Sequence, residues 1–167
     1  YTPRAVVSFM TDIIAPQLDE TILDPACGTG GFLTSAIEFK RKHFVKTPID
    51  EQILHKSIFG IEKKPLPHLL CTTNMILHGI DVPTQIKHDN TLSHSLISWG
   101  LDKRVDIILT NPPFGGIEED GIENNFPEKF RTRETADLFM VLIIQLLKAH
   151  GRAAVVLPAG FMFGEGI

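Results

Sequence analysis

Asp24-Pro25-Ala26-Cys27-Gly28-Thr29-Gly30-Gly31-Phe32 joins a short β-type run, residues 21–25, to a helical stretch, residues 30–42. Three glycines in four positions permit positive φ and let a ligand approach the backbone closely. The helix that follows presents free N–H groups at its start, where phosphates and carboxylates bind. The run is neither the dinucleotide pattern G-x-G-x-x-G nor a Walker loop, because no Gly-Lys-Ser/Thr follows. Asp24 brings a negative charge, which repels a pyrophosphate and suits a cationic amino group. A ligand carrying both signs, such as an amino acid, fits this turn better than a phosphate does. The plainer alternative is a tight strand-to-helix turn with Asp24 as a local cap.

Outward from the turn, strand-like and helical runs alternate, which predicts an α/β fold with a mainly parallel sheet. Upstream, Thr2 is placed to cap a first helix with Pro3 at its first position, carrying Val6, Val7, Phe9, Met10, Ile13 and Ile14 up to Pro16. Downstream, residues 46–52 read as a loop and residues 57–62 as the second strand. A helix punctuated by Pro65 and Pro67 runs to His78 and stops at Gly79. Residues 85–89 read as the third strand and 92–99 as a weak helix. Residues 105–110 form an almost wholly apolar fourth strand, as for one buried on both faces. Residues 115–133 are a long polar loop, 136–150 an apolar helix and 152–157 a fifth strand. Lys40, Arg41 and Lys42 fall at the negative end of their helix dipole. Five such strands predict an open doubly wound sheet in a single domain, with ligands bound beyond the carboxyl ends of the strands near the switch point.

Composition bounds the function. The 167 residues suffice for one domain with its own core. No apolar run approaches the roughly 20 residues that span a bilayer, and no signal peptide opens the chain. It begins at Tyr1 rather than Met, so a fragment of a longer protein is expected. Cys27 and Cys71 make neither a disulfide framework nor a metal quartet, so no metal site is expected and a reducing cytoplasm is the expected compartment. The formal net charge is −4. A domain that held duplex DNA alone would be basic, because phosphate contacts supply much of the affinity. If DNA is the substrate, a partner is expected to hold it.

The other polar signals stand at strand ends. Glu62 closes the second strand, where a carboxylate can accept bonds from both ribose hydroxyls of an adenosine group. After the third strand, either Asp89 or Asn90 can bond the exocyclic amine of an adenine ring, or simply cap a turn. The fourth strand runs into Asn111-Pro112-Pro113-Phe114. Two prolines fix φ and donate no backbone bonds, so the segment is stiff. The Asn111 amide oxygen and the Pro112 carbonyl are two acceptors for an amino group with two N–H bonds. Phe114 offers a face for a planar base, worth about 1–3 kcal/mol per base. Such a site needs no strong base. It works by positioning and electrostatics, and a target base in a duplex must be flipped out to reach it.

These segments, with Tyr1-Thr2-Pro3-Arg4, Gly60-Ile61-Glu62, Asn74-Met75-Ile76-Leu77-His78-Gly79 and Asn90-Thr91-Leu92, occur in the order of a known pattern and cover nearly the whole chain. The chain resembles the amino-methyltransferases with an Asn-Pro-Pro-Phe signature, and more closely the modification (M) subunits of type I restriction–modification systems. The resemblance implies a Rossmann-like class I S-adenosylmethionine-dependent methyltransferase fold, truncated here after strand five. It implies site-specific, adenine-N6-specific DNA methylation with S-adenosylmethionine as cofactor. The implied cofactor contacts are Tyr1, Thr2, Pro3, Asp24, Ala26, Cys27, Gly28, Thr29, Gly30, Gly31 and Phe32 around the methionine part. Glu62 would hold the ribose, Lys63 would flank the adenine ring, and Asp89 or Asn90 would meet its amine. Asn90 stands where the family more often has Asp, and Asp89 where Gly is common. The implied catalytic residues are Asn111, Pro112, Pro113 and Phe114. Implied partners are DNA, a specificity (S) subunit that chooses the target, and a restriction (R) subunit. Rival readings are methylation of a glutamine side chain or an RNA base, and a module that binds the cofactor without transfer.

Overall fold

A computed structural model describes residues 2–162. Its core is one five-stranded sheet in the order β3-β2-β1-β4-β5, formed by Ile86–His88, Ile58–Glu62, Ile22–Asp24, Val105–Thr110 and Leu147–Val155 respectively. Every pairing is parallel. The helices are α1 (Arg4–Ile14), α2 (Gly31–His43), α3 (Pro48–Lys56), α4 (Pro65–Leu77) and α5 (Thr135–Leu146). The order makes β1 central, with the chain turning outward to β2 on one side and β4 on the other. The switch point therefore lies between the carboxyl ends of β1 and β4.

Alternating side chains build two apolar layers. Ile107 and Leu109 of β4 join Ile22, Leu33, Ile37, Ile58 and Met75 on the α1/α2/α4 side. Val105 and Ile108 join Leu23, Phe126, Leu138, Leu142 and Leu146 on the α5 side. That double burial is why β4 reads as a continuous apolar run.

Several local expectations are corrected. Pro3, not Thr2, is the N-cap of α1, and no side chain caps that helix. Thr2 instead turns its hydroxyl to another element, described below. The expected loop at 46–52 runs into a real helix, α3. Thr47 Oγ1 accepts from the Asp50 N–H and the Asp50 carboxylate accepts from the Thr47 N–H, a capping box with Pro48 at the first helical position. The weak helix at 92–99 is two 3-10 turns, Thr91–Ser93 and Leu96–Ser98. The long segment 115–133 carries 3-10 turns at Ile122–Asn125 and Glu128–Phe130, and Ile117 bridges antiparallel to Glu134.

The fifth helix ends four residues earlier than its apolar pattern suggests. Leu147 already pairs with Val105, and pairing resumes at Ile107 with Arg152, so residues 148–151 bulge from the ladder. His150 takes φ 66° there. A Cβ on Gly151 would lie 2.9 Å from the Lys148 carbonyl oxygen and 3.1 Å from that of Asp106, so only glycine fits the return. Lys40 is also not the solvated dipole partner it looked to be. It is fully buried, and its Nζ donates to the carbonyls of Leu18 (3.2 Å) and Glu20 (2.6 Å) and to Ser57 Oγ (2.7 Å).

Candidate active site

The Gly-rich turn leaves β1 at Asp24 and enters α2 at Gly31. Gly28 and Gly30 adopt φ +53° and +86°. Gly30 is the N-cap of α2, and a Cβ there would lie 2.8 Å from Cys71 Sγ and 3.2 Å from Met75 Cε on α4. Both the positive φ and the close approach of α4 require glycine. The turn is held from outside as well. Asn74 Nδ2 donates to the Thr29 carbonyl at 2.8 Å, and the Gly28 N–H donates to Glu62 Oε2 at 2.9 Å.

Asp24 is 2% exposed at the switch point. Its Oδ1 accepts from Thr110 Oγ1 at 2.7 Å across the β1/β4 gap and from the Ala26 N–H at 3.1 Å. Burial pushes its carboxyl up from an ordinary 3.8 to about 7, reinforced by the nearby Glu62 charge and opposed by those two bonds. A ligand bringing a cationic group would offset the cost of the buried carboxylate. Glu62, at the end of β2, spans two backbone donors, Gly28 N–H and Lys64 N–H (2.7 Å). Each carboxylate oxygen keeps a further lone pair for a hydroxyl.

At the end of β4, Pro112 is buried, Pro113 is exposed and Phe114 is 37% exposed. Asn111 Nδ2 donates to Thr2 Oγ1 at 2.9 Å. Asn111 Oδ1 is buried and accepts nothing. An unpaired buried acceptor costs about 1–3 kcal/mol, so such a group marks a place where a donor is expected to arrive.

Thr2, Asp24, Ala26, Cys27, Gly28, Thr29, Gly31, Phe32 and Asn111 line one cavity of ≈ 270 Å³. Nine residues singled out from three separate stretches of sequence thus meet in one place. Val7 of α1 and Pro67 of α4 complete the wall. Neither carries a sequence signal, since a helical valine and a helix-start proline read as packing. Thr110 was passed over too, although a hydroxyl next to Asn111 at a strand end could have drawn attention.

The other singled-out residues stand outside that wall. Pro3 begins α1 and Gly30 faces α4. Lys63 extends towards Glu118 (3.4 Å) and Glu119 (3.0 Å) of the long segment. Asp89 Oδ2 pairs with His94 Nε2 at 2.6 Å, while Asn90 Oδ1 accepts from the Leu92 N–H at 3.1 Å and caps the 3-10 turn. Tyr1 lies outside the described residues. Cys27 Sγ is 3.7 Å from Cys71 Sγ, and that contact together with burial pushes the Cys27 thiol up, so it stays protonated and is no nucleophile. Among the described residues no three metal-ligating side chains converge, and no helix is long and apolar enough to cross a membrane.

The Escherichia coli type I restriction enzyme EcoEI methylase subunit is 63% identical over 167 residues, covering 100% of this chain and 34% of the relative. The EcoKI methylase subunit of E. coli K12 is 30% identical over 99% of this chain. Among solved structures, a modification subunit assigned to a type I restriction enzyme from Vibrio vulnificus YJ016 superposes with a TM-score of 0.92 at 49% identity, covering 99% of this chain and 36% of that one. The EcoKI M protein gives 0.80 at 30% identity. A class I S-adenosylmethionine-dependent methyltransferase from Listeria monocytogenes, at 21% identity and TM-score 0.68, shares the fold. The chain thus spans about a third of the length of these type I relatives. Residues 1–167 match the N-6 DNA Methylase family from end to end, and the chain belongs to that family.

Proposed function

We propose that this chain is the cofactor-binding and catalytic domain, residues 1–167, of an adenine-N6 DNA methyltransferase, the modification subunit of a type I restriction–modification system. The observation that carries the reading is the unpartnered, buried Oδ1 of Asn111, a residue on the wall of the same cavity as Asp24. One residue asks for an N–H donor and the other for a cation, and the two requirements meet in one space.

The residues fit S-adenosylmethionine. Its amino group suits the buried Asp24 carboxylate, and its carboxylate suits the free N–H groups at the start of α2. Glu62 is placed at the end of β2 for the ribose hydroxyls, with Asp89 or Asn90 beyond it for the adenine. Thr2, Ala26, Cys27, Gly28, Thr29, Gly31 and Phe32 close around the methionine part. When bound, this cofactor supplies an electrophilic methyl group.

The chain's own residues then do the positioning. Asn111 Oδ1 and the Pro112 carbonyl accept the two N–H bonds of the target amine and orient the nitrogen lone pair. Pro112 and Pro113 keep that pair of acceptors from relaxing away. Phe114 stacks on the flipped base. The amine loses its proton after attack, so no side-chain base is required. The net charge of −4 supports a division of labour, with target choice in a specificity subunit and DNA translocation and cleavage in a restriction subunit.

The test is transfer of a tritium-labelled methyl group to DNA, RNA and protein by the full-length protein, with and without the product of the neighbouring specificity gene. Label on adenine N6 of DNA, dependent on that partner, is expected. Label on glutamine or on RNA, or cofactor binding with no transfer to any of the three, would overturn the reading.

A further inference from the structure

Asn111 reaches its neighbours through two different atoms. Its Nδ2 donates to Thr2 Oγ1 at 2.9 Å, across 109 residues of sequence. Its Oδ1 has no partner and is shut off from solvent. An amide is nearly symmetric in shape, so packing alone does not decide which end faces the cavity. A donor facing the target amine would be repelled by its N–H bonds, and an acceptor would bind it. A threonine hydroxyl can accept or donate; here the Thr2 hydroxyl accepts the N–H of the Asn111 amide and holds the amide by that end, leaving Oδ1 without a partner. Pro112 restricts the Asn111 backbone but leaves that terminal torsion free.

Thr2 is released for this task by the local structure of α1. Pro3 occupies the N-cap, and no side chain caps the helix, so the Thr2 hydroxyl is not spent on helical N–H groups. Its position is fixed all the same. The Pro3 carbonyl is anchored by the N–H groups of Val6 (3.0 Å) and Val7 (3.1 Å), and Val7 is buried in the core beneath. Thr2 and Asn111 also line the one cavity together with Asp24.

We infer that Thr2 is a positioning residue for methyl transfer: its hydroxyl holds the Asn111 amide through Nδ2 and leaves Oδ1 free for the target amine. The inference rests on the function proposed above. It adds that Thr2 acts on the target side of the site, through Asn111, beside any contact it makes with cofactor. Thr2→Val keeps the shape and removes the acceptor. Thr2→Ser keeps the acceptor and removes only a methyl group.

The experiment compares these variants with wild type in the full-length methylation complex. It measures kcat at saturating cofactor and DNA, cofactor Kd by calorimetry, and fluorescence of 2-aminopurine at the target position. Thr2→Val is expected to lower kcat by about tenfold or more, the scale of one lost hydrogen bond in a site that depends on orientation. The loss should persist at saturating cofactor, whatever the change in cofactor Kd. Flipped-base fluorescence should fall, and Thr2→Ser should restore both kcat and fluorescence. A kcat for Thr2→Val equal to wild type, or a loss fully recovered by raising cofactor concentration, would overturn the inference and leave Thr2 a cofactor contact alone. Failure of the parent reading looks different, because wild type would then put label on something other than adenine. The Thr2→Val effect on kcat would still be read on that product.

Discussion

Asp24 is a buried carboxyl whose cost to stability the proposed function would put to use. Its carboxyl is pushed up to about 7 by burial, against an ordinary 3.8. With the folded value above the unfolded one, the folded state holds the extra proton between those limits. Stability from this group is therefore complete below pH 3.8 and is lost as pH rises to about 7. Asp24→Asn removes the buried charge and keeps the size. At pH 8 the variant should be more stable than wild type by about 1–3 kcal/mol, since each pKa unit is worth about 1.4 kcal/mol. The gap should shrink as pH falls towards 4. Cofactor affinity should fall at least about tenfold at pH 8, because a neutral amide gives an ammonium no opposite charge to pair with. Denaturant melts across pH, with calorimetry on the same samples, check both halves. A variant as unstable as wild type at pH 8 and binding cofactor normally would show that Asp24 carries no buried charge there.

At the scale of elements, the segments that read correctly are those whose burial dictates their composition. β4 must be apolar on both faces, and the prolines after it can only be a stiff exit. The Gly-rich turn was legible because positive φ and the approach of α4 leave glycine no competitor at Gly30. Misreadings came where the deciding partner is remote. Leu147 continues the apolar run of α5, and only its pairing with Val105 makes it a strand residue. The loop reading of 46–52 is the exception, because its deciding signal is local: a capping box of Thr47 and Asp50, with Pro48 at the first helical position. Lys40 stood in a basic triplet, yet its ammonium is the buried donor that ties α2 to the turn before β1 and to Ser57. Burial lowers its pKa to about 8, so it is still charged at pH 7. Lys40→Met would leave two carbonyls and a hydroxyl without this donor. A loss of about 2–4 kcal/mol is expected, the sum of a few unmet bonds less the relieved charge burial. An unchanged denaturation midpoint would refute that role.

At the scale of the molecule, the open parallel sheet gathers its chemistry at one end. Asp24, Glu62, His88 and Thr110 close four strands, and the cavity lies at the switch point between two of them. The Gly-rich turn, Glu62, the Asp89-Asn90 pair and the Asn111–Phe114 segment all stand at strand ends, so the end of the sheet where they gather was legible in the sequence. The internal bonds of the site were not. That Thr2 meets Asn111 and that Thr110 meets Asp24 are facts of the sheet order, with 109 and 86 residues between the partners. The central claim is that this gathering presents the Asn111 amide oxygen to an adenine amine in DNA. The most direct measurement is labelled methyl transfer by wild type and Asn111→Ala in the full-length complex, with cofactor Kd determined alongside. The account predicts label on adenine N6 for wild type, loss of at least about a hundredfold in rate for the variant, as for removal of a preorganised group acting on the reacting centre, and cofactor Kd within about threefold, under 1 kcal/mol. Transfer by Asn111→Ala at the wild-type rate would contradict it.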